Sequence, residues 1–189
     1  MNSFWNNDIY CYDMDSENPR EYLTLKHSNY ARSSKFVSLK ENASCTYNKE
    51  EASHVEIDSN SNLFSQTNYH KIRINLEDFS IDILDNTFSE TSGLAYMPYG
   101  TAKDCSDLTI CPKGHFKIDL RGTGFSVSVE TKWNERYHTY GYKISRTHKS
   151  QVILGWCGGR CTGCSPIDKL YIVPKNQGQD YEEKSADLL

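Results

Sequence analysis

Apolar and polar residues alternate along much of this chain with the two-residue period of a β-strand. Residues 115–120 place Phe, Ile and Leu on one face and charged or polar side chains on the other, and residues 125–129 repeat the alternation. Residues 121–124 contain two glycines and predict a hairpin turn between these two strands.

A second hairpin is predicted from residues 71–76 to residues 79–83, with Glu77 and Asp78 at a turn that lacks glycine. Helical periodicity is almost absent from the chain. Further strands are predicted at residues 9–14, 21–25, 35–39, 141–146, 151–156 and 169–173. This spacing predicts an all-β fold: a single antiparallel domain, sandwich or barrel-like, with little helix.

Two polar segments interrupt the strand pattern. Residues 46–68 are rich in Ser, Asn, Asp and Glu and predict a long surface loop, and residues 175–189 predict an acidic, disordered tail. We find neither an internal repeat nor a domain boundary. A chain of 189 residues is long enough to bury one sizeable core.

Charge is distributed unevenly along the chain. The formal net charge is −4, but residues 1–112 carry −8, residues 113–160 carry +6 and residues 161–189 carry −2. A clustered basic face would attract a polyanion, whereas the alternative is that the basic segment folds against the acidic first half. The candidate polyanion-binding residues are Lys113, Lys117, Arg121, Lys132, Arg136, Lys143, Arg146 and Lys149, with His115, His138 and His148 among them.

The seven cysteines include three within eight residues, Cys157, Cys161 and Cys164. Their spacing matches the thiolates of a [4Fe–4S] cluster in radical enzymes, but no βαβ pattern surrounds them. A structural zinc site needs four ligands, and neither Cys105 nor Cys111, the available fourth, lies in a Cys-x₂-Cys pair. Both metal hypotheses are therefore less favoured than disulfides, and no metal ligands are assigned.

Disulfides are favoured by the number of cysteines and by Asn42, which begins an Asn-Ala-Ser acceptor sequon for N-glycosylation. Both features indicate an extracellular protein. The disulfide candidates are Cys11, Cys45, Cys105, Cys111, Cys157, Cys161 and Cys164. Because seven is odd, one thiol lacks an internal partner.

Six segments of the chain carry a recognisable pattern: residues 9–14, 19–25, 70–74, 98–105, 111–120 and 157–164. Taken together they resemble the GON domain, a module at the C-terminal end of a subgroup of the secreted ADAMTS zinc metalloendopeptidases. The likeness runs in order from about residue 9 to residue 174, so residues 9–174 are interpreted as the domain, residues 1–8 as its partial N-terminal edge and residues 175–189 as the tail.

The chain departs from the family pattern in its cysteines. GON domains normally have one more cysteine upstream of the position of Cys11, and several where this chain has Cys45 alone. We therefore expect Cys11 to be unpaired or joined to Cys45, and Met1 to be a cut within a longer secreted protein.

No catalytic motif is found in the chain. None of the six histidines is followed by Glu, so the His-Glu-x-x-His zinc motif of such proteases is absent, and so is Gly-x-Ser-x-Gly. Residues 13–17 are acidic but lack the glycine and distant acid of a calcium loop. No apolar run reaches the roughly 20 residues of a membrane span, and the N-terminus does not resemble a signal peptide.

The resemblance implies a non-catalytic, disulfide-stabilised module that directs an extracellular matrix protease to substrate, matrix or cell-surface partners. Such a module has no cofactor of its own, and zinc would belong to the catalytic domain of the parent protein. Sulfated glycosaminoglycan is the candidate ligand of the basic segment, and no nucleic-acid partner is expected. The alternatives are a free-standing glycosaminoglycan-binding module and, less favoured, a structural zinc or iron–sulfur protein.

Overall fold

The structure is a computed structural model that describes residues 8–37, 64–93, 95–102, 110–134, 142–158 and 164–175, without the side chains of residues 33–37, 64, 110–113, 142–143 and 157–158. These ranges contain strands and turns and no helix, which confirms the all-β prediction. The strands are β1 (Ile9–Tyr12), β2 (Arg20–Val37), β3 (Phe64–Asn75), β4 (Ser80–Ile81), β5 (Ser89–Gly93), β6 (Ile110–Asp119), β7 (Phe125–Val127), β8 (Tyr142–Thr147), β9 (Val152–Gly158) and β10 (Leu170–Pro174).

All described strand pairs are antiparallel and form one curled sheet. The order across it is β7-β10-β4-β3-β2-β6-β9-β8, with β1 beside the first part of β2 and β5 beside the first part of β3. The curl brings the β7 edge back towards the β8–β9 turn, where the Val127 amide donates to the Ser150 carbonyl at 2.9 Å. The architecture is therefore a half-barrel, which agrees with the barrel-like alternative and not with the sandwich.

β2 is a single bent strand of 18 residues. Its pairing with β3 shifts register between Thr24 and Asn29, so its first part lies between β1 and β3 and its second part between β3 and β6. The predicted strand 21–25 and residues 35–37 of the predicted strand 35–39 belong to this one element, whereas residues 38 and 39 lie outside the described residues. The apolar–polar alternation predicted two strands instead of one because polar residues 26–29, which form the bend, interrupt it.

The β3–β4 hairpin is confirmed, with Ile74 opposite Ile81 and Asn75 opposite Ser80. Its turn needs no glycine because Phe79 adopts the left-handed conformation, at φ 55°. The predicted hairpin across residues 121–124 is wrong. The turn forms, but β6 pairs with β2 and β9 whereas β7 pairs with β10, since alternation identifies a strand and not its partner.

Other boundaries also differ from prediction. β3 begins at Phe64, so residues 64–68 are strand and not loop, and residues 46–63 lie outside the described residues. β5 was missed because its sequence, Ser-Glu-Thr-Ser-Gly, has no apolar alternation. Of the predicted tail, residues 176–189 lie outside the described residues.

The concave face of the sheet carries the core. It includes Leu23, Ile72, Phe116 and Ile118, none more than 1% exposed. Phe116 stacks on Trp133 with ring centroids 5.5 Å apart and lies so close to Gly155 that a Cβ there would be 1.9 Å from the ring. Glycine is thus required opposite Phe116.

A smaller aromatic cluster lies outside this core. Phe88 meets Tyr10, Tyr12 and Tyr22 edge-on, at centroid distances of 5.6, 5.6 and 4.8 Å. The Tyr22 hydroxyl donates to the Asp85 carboxylate at 3.0 Å. These contacts fasten the loop of residues 82–88 to strands β1 and β2.

Candidate binding surface on the outer face of the sheet

Two register rows cross strands β2, β6 and β9 on the convex face of the sheet. In one row Lys117 lies between Tyr30 and Leu154, and in the other His115 lies between Arg32 and Trp156; we call these six residues the outer patch. The alternate positions, Ala31, Phe116 and Gly155, are buried. The strand period therefore directs the six side chains of the outer patch away from the core.

The outer patch combines cationic and aromatic groups. Leu154 is 44% exposed, and the His115 and Trp156 rings meet edge-on at 6.5 Å. On β3 the rows continue into Gln66 and Asn68, whose side-chain amides are joined by a 2.7 Å hydrogen bond. Cations, ring faces and amides on one face suit an anionic or hydroxyl-rich ligand.

At the edge of the outer patch, two of the predicted polyanion-binding residues, Lys117 and Arg121, pair with a buried carboxylate. The Asp119 side chain is fully buried; it accepts from Arg121 at 2.9 Å (Nε to Oδ1) and 2.6 Å (Nη2 to Oδ2), and Lys117 Nζ lies 3.2 Å from Oδ2. Burial raises the pKa of Asp119, but the Arg121 and Lys117 hydrogen bonds outweigh it and lower the pKa to about 2. The three side chains together keep a net charge of +1.

The same strand end is tied to the core through Asn29. Its side-chain amide donates to the Asp119 carbonyl at 3.0 Å, and its Oδ1 accepts from the Asp119 amide and from the Tyr99 hydroxyl, both at 2.7 Å. Burial raises the pKa of Tyr99 well above 10, so its hydroxyl stays a neutral donor. The side-chain amide of Asn29, at this bend of β2, is therefore bonded to groups within the protein.

Arg146 has a structural role, because its side chain bonds to groups within the protein. Its guanidinium donates to the Ser128 carbonyl at 3.2 Å and to the Thr131 carbonyl at 2.5 Å, and it lies 5.4 Å from the Trp133 ring centroid. Trp133 in turn donates to the Gly100 carbonyl at 2.8 Å. These contacts occupy the charged end of Arg146.

Among the remaining predicted cations, Lys143 continues one register row of the outer patch beyond Trp156. By backbone register, Lys143 on β8 is opposite Trp156, and Lys113 on β6 is opposite Ser34 and Gly158. Lys132 is exposed in the irregular segment after β7, and Lys149 is exposed in the β8–β9 turn. Arg136, His138 and the sequon residue Asn42 lie outside the described residues. Arg32 was missed because it lies outside the basic segment; only the pairing of β2 with β6 brings it there.

The described cysteines differ in state. Cys11 is an exposed free thiol on β1, and Cys164 is disulfide-bonded and 2% exposed. The backbone of Cys164 pairs with Ala102 through hydrogen bonds of 2.7 and 2.9 Å. Cys111 and Cys157 contribute only their backbone to the described structure, and Cys45, Cys105 and Cys161 lie outside it, so their pairing stays a prediction.

The described part of the chain shows neither a metal-ligand cluster nor a membrane-spanning helix. No group of three or more His, Cys, Asp or Glu side chains there is arranged to hold a metal ion. Nor does the described part contain a helix long and apolar enough to cross a membrane.

Comparison with protein families identifies the chain. The family model of the GON domain matches residues 3–173. The chain belongs to the GON domain family. This confirms the resemblance carried by the six segments, and it places the outer patch within a GON domain.

Curated relatives agree with the family match. They include "A disintegrin and metalloproteinase with thrombospondin motifs 20" from Homo sapiens, 36% identical over 84% of this chain, and its Mus musculus counterpart, 33% identical over 84%. "A disintegrin and metalloproteinase with thrombospondin motifs gon-1" from Caenorhabditis elegans is 30% identical over 84%. No solved structure matches the chain.

The matched region is a small part of these relatives. It spans 8% of the human and mouse proteins and 7% of the worm protein. The GON domain is a non-catalytic module of such proteins, and this chain corresponds to that module and not to the protease.

Proposed function

We propose that this GON domain is an accessory binding module of a secreted ADAMTS-type metalloendopeptidase, which it directs to extracellular matrix or cell-surface partners. Zinc would then belong to the protease domain of the parent. Membership of the family and the small matched share of each relative support the modular role. The disulfide at Cys164 supports an oxidising, extracellular setting and a disulfide-stabilised domain.

The outer patch is the observation that carries this function. It gathers Arg32 and Lys117 on adjacent strands with the Trp156 ring, on a face that the core does not use. A sulfated glycosaminoglycan would match it, since sulfates pair with guanidinium and ammonium groups while sugar rings lie against an indole.

Heparin-affinity chromatography of the 189-residue chain tests the proposal. The variant pair is Arg32→Gln with Lys117→Gln; Asp119 keeps its two bonds from Arg121, so the fold should survive. We expect elution at clearly lower salt and an affinity about tenfold weaker, from two ion pairs of up to about 1 kcal/mol each. Trp156→Ala should weaken binding without changing charge.

The matched control is Lys26→Gln with Lys175→Gln, two exposed lysines outside the outer patch. It removes the same charge and should change elution far less. Equal losses in both pairs would show that only net charge matters, and unchanged elution of the Arg32 and Lys117 pair would reject the patch as the binding site.

A further inference from the structure

A groove of about 420 Å³ opens at one end of the half-barrel, away from the outer patch. Its floor follows one register row across four strands, in which Ile74, Ile81 and Leu170 are successive neighbours. All three are at most 4% exposed. The next position in this row, on β2, is Glu21, so an apolar row ends at a carboxylate.

The walls of the groove come from two loops. Residues 82–84 contribute Leu84, which is 67% exposed, and residues 168–169 contribute Asp168 and Lys169. The loop of residues 82–88 is held in place by the Phe88 cluster. The groove is therefore a formed feature with an apolar floor, an exposed leucine and a charged rim.

The charges on the rim do not balance. Arg73 pairs with Asp82 at 3.5 Å, and Lys169 pairs with Asp78 at 2.7 Å. This leaves Glu21 and Asp168, which have no basic partner within the described part of the chain. An apolar floor with an uncompensated carboxylate at each end complements a segment whose side chains have aliphatic stems and cationic ends.

We propose that this groove binds a basic segment of a partner protein, whose lysine or arginine side chains lie across the groove beside Leu84, with one charge at Glu21 and another at Asp168. The partner has the opposite charge to the polyanion proposed for the outer patch, and the two sites share no residue. The groove proposal therefore holds or fails separately from the polyanion proposal.

Fluorescence polarisation with the 189-residue chain tests it. The probe is a fluorescein-labelled peptide of eight residues that alternates lysine and alanine, and its counterpart replaces each lysine by glutamate. We expect saturable binding of the lysine peptide alone. Glu21→Gln with Asp168→Asn should weaken that binding about tenfold, since each exposed ion pair contributes up to about 1 kcal/mol. Leu84→Ser should weaken it without changing charge.

Asp15→Asn with Glu17→Gln is the matched control, because both acids are exposed and lie outside the groove. This pair should change the peptide affinity less than twofold, and the groove pair should leave heparin retention unchanged. The proposal is overturned if the lysine peptide does not bind saturably, if the glutamate peptide binds equally well, or if the control pair weakens binding as much as the groove pair.

Discussion

Individual charges in this domain have roles that their position in the sequence does not reveal. Lys117 and Arg121, which were predicted as surface ligands for a polyanion, also pair with the buried carboxylate of Asp119. Arg146 was predicted in the same role, but it donates to two backbone carbonyls. The basic segment therefore pairs partly with an acid of its own, Asp119, whereas the alternative left open from the sequence was folding against the acidic first half of the chain.

The Asp119 cluster makes stability depend on pH. The pKa of Asp119 is lowered from 3.8 to about 2 in the folded chain, so folding favours the ionised carboxylate. This stabilisation is fully present above about pH 5 and is lost as the pH falls from about 4 to 2. After screening at Arg121, which is 38% exposed, we expect it to contribute about 1 to 2 kcal/mol at pH 7.

Urea unfolding of Asp119→Asn against the parent chain measures this contribution. At pH 7 the variant should be less stable, and the difference should shrink as the pH falls towards 2. Asp15→Asn is the control, since Asp15 is exposed and lies away from the Asp119 cluster in the sequence. A stability difference that stays constant between pH 7 and pH 2 would mean that Asp119 acts through shape and not through charge.

At the scale of elements, the sequence predicted the positions of the strands better than it predicted which strands pair with each other. The period-two pattern gave β6, β7, β8, β9 and β10 to within a few residues, except for the start of β6, because each places apolar residues on the core side. The pattern did not predict the conformation of the β8–β9 turn. There His148, Lys149 and Ser150 all adopt positive φ, at 53°, 52° and 61°, without a glycine to indicate it.

Arg146 on β8 joins this edge of the sheet to residues 128–134. Arg146→Ala should destabilise the chain by about 2 to 3 kcal/mol, because it removes two charge-assisted hydrogen bonds and the contact with the Trp133 ring. Arg146→Lys should recover little, because an ammonium does not reproduce the two-nitrogen fork. Urea unfolding provides both values.

Lys132→Gln is the matched control for this link, since Lys132 is an exposed cation in the same loop. Its effect should stay within about 0.5 kcal/mol. If Arg146→Lys were as stable as the parent chain, the fork geometry would be irrelevant and Arg146 would act only as a positive charge.

At the scale of the whole molecule, fold class and family were readable from the sequence, whereas both candidate surfaces were not. The outer patch joins Arg32 on β2 to His115 and Trp156, far apart in the chain, through the pairing of β6 with β2 and β9. The groove needs Glu21 beside Ile74, which depends on the bend in β2. Long-range strand pairing set both surfaces, and local periodicity does not report it.

The same pairing should set the order in which the sheet opens. β6 is hydrogen-bonded on both sides and places Phe116 and Ile118 in the core at no more than 1% exposure. Within the described residues β5 pairs with β3 alone, and its last four residues are exposed. Hydrogen exchange read by mass spectrometry should therefore find peptides from residues 115–119 about a hundredfold slower to exchange than peptides from residues 89–93. Equal rates in the two strands would mean that the half-barrel opens as one unit and that β5 is as well anchored as the centre of the sheet.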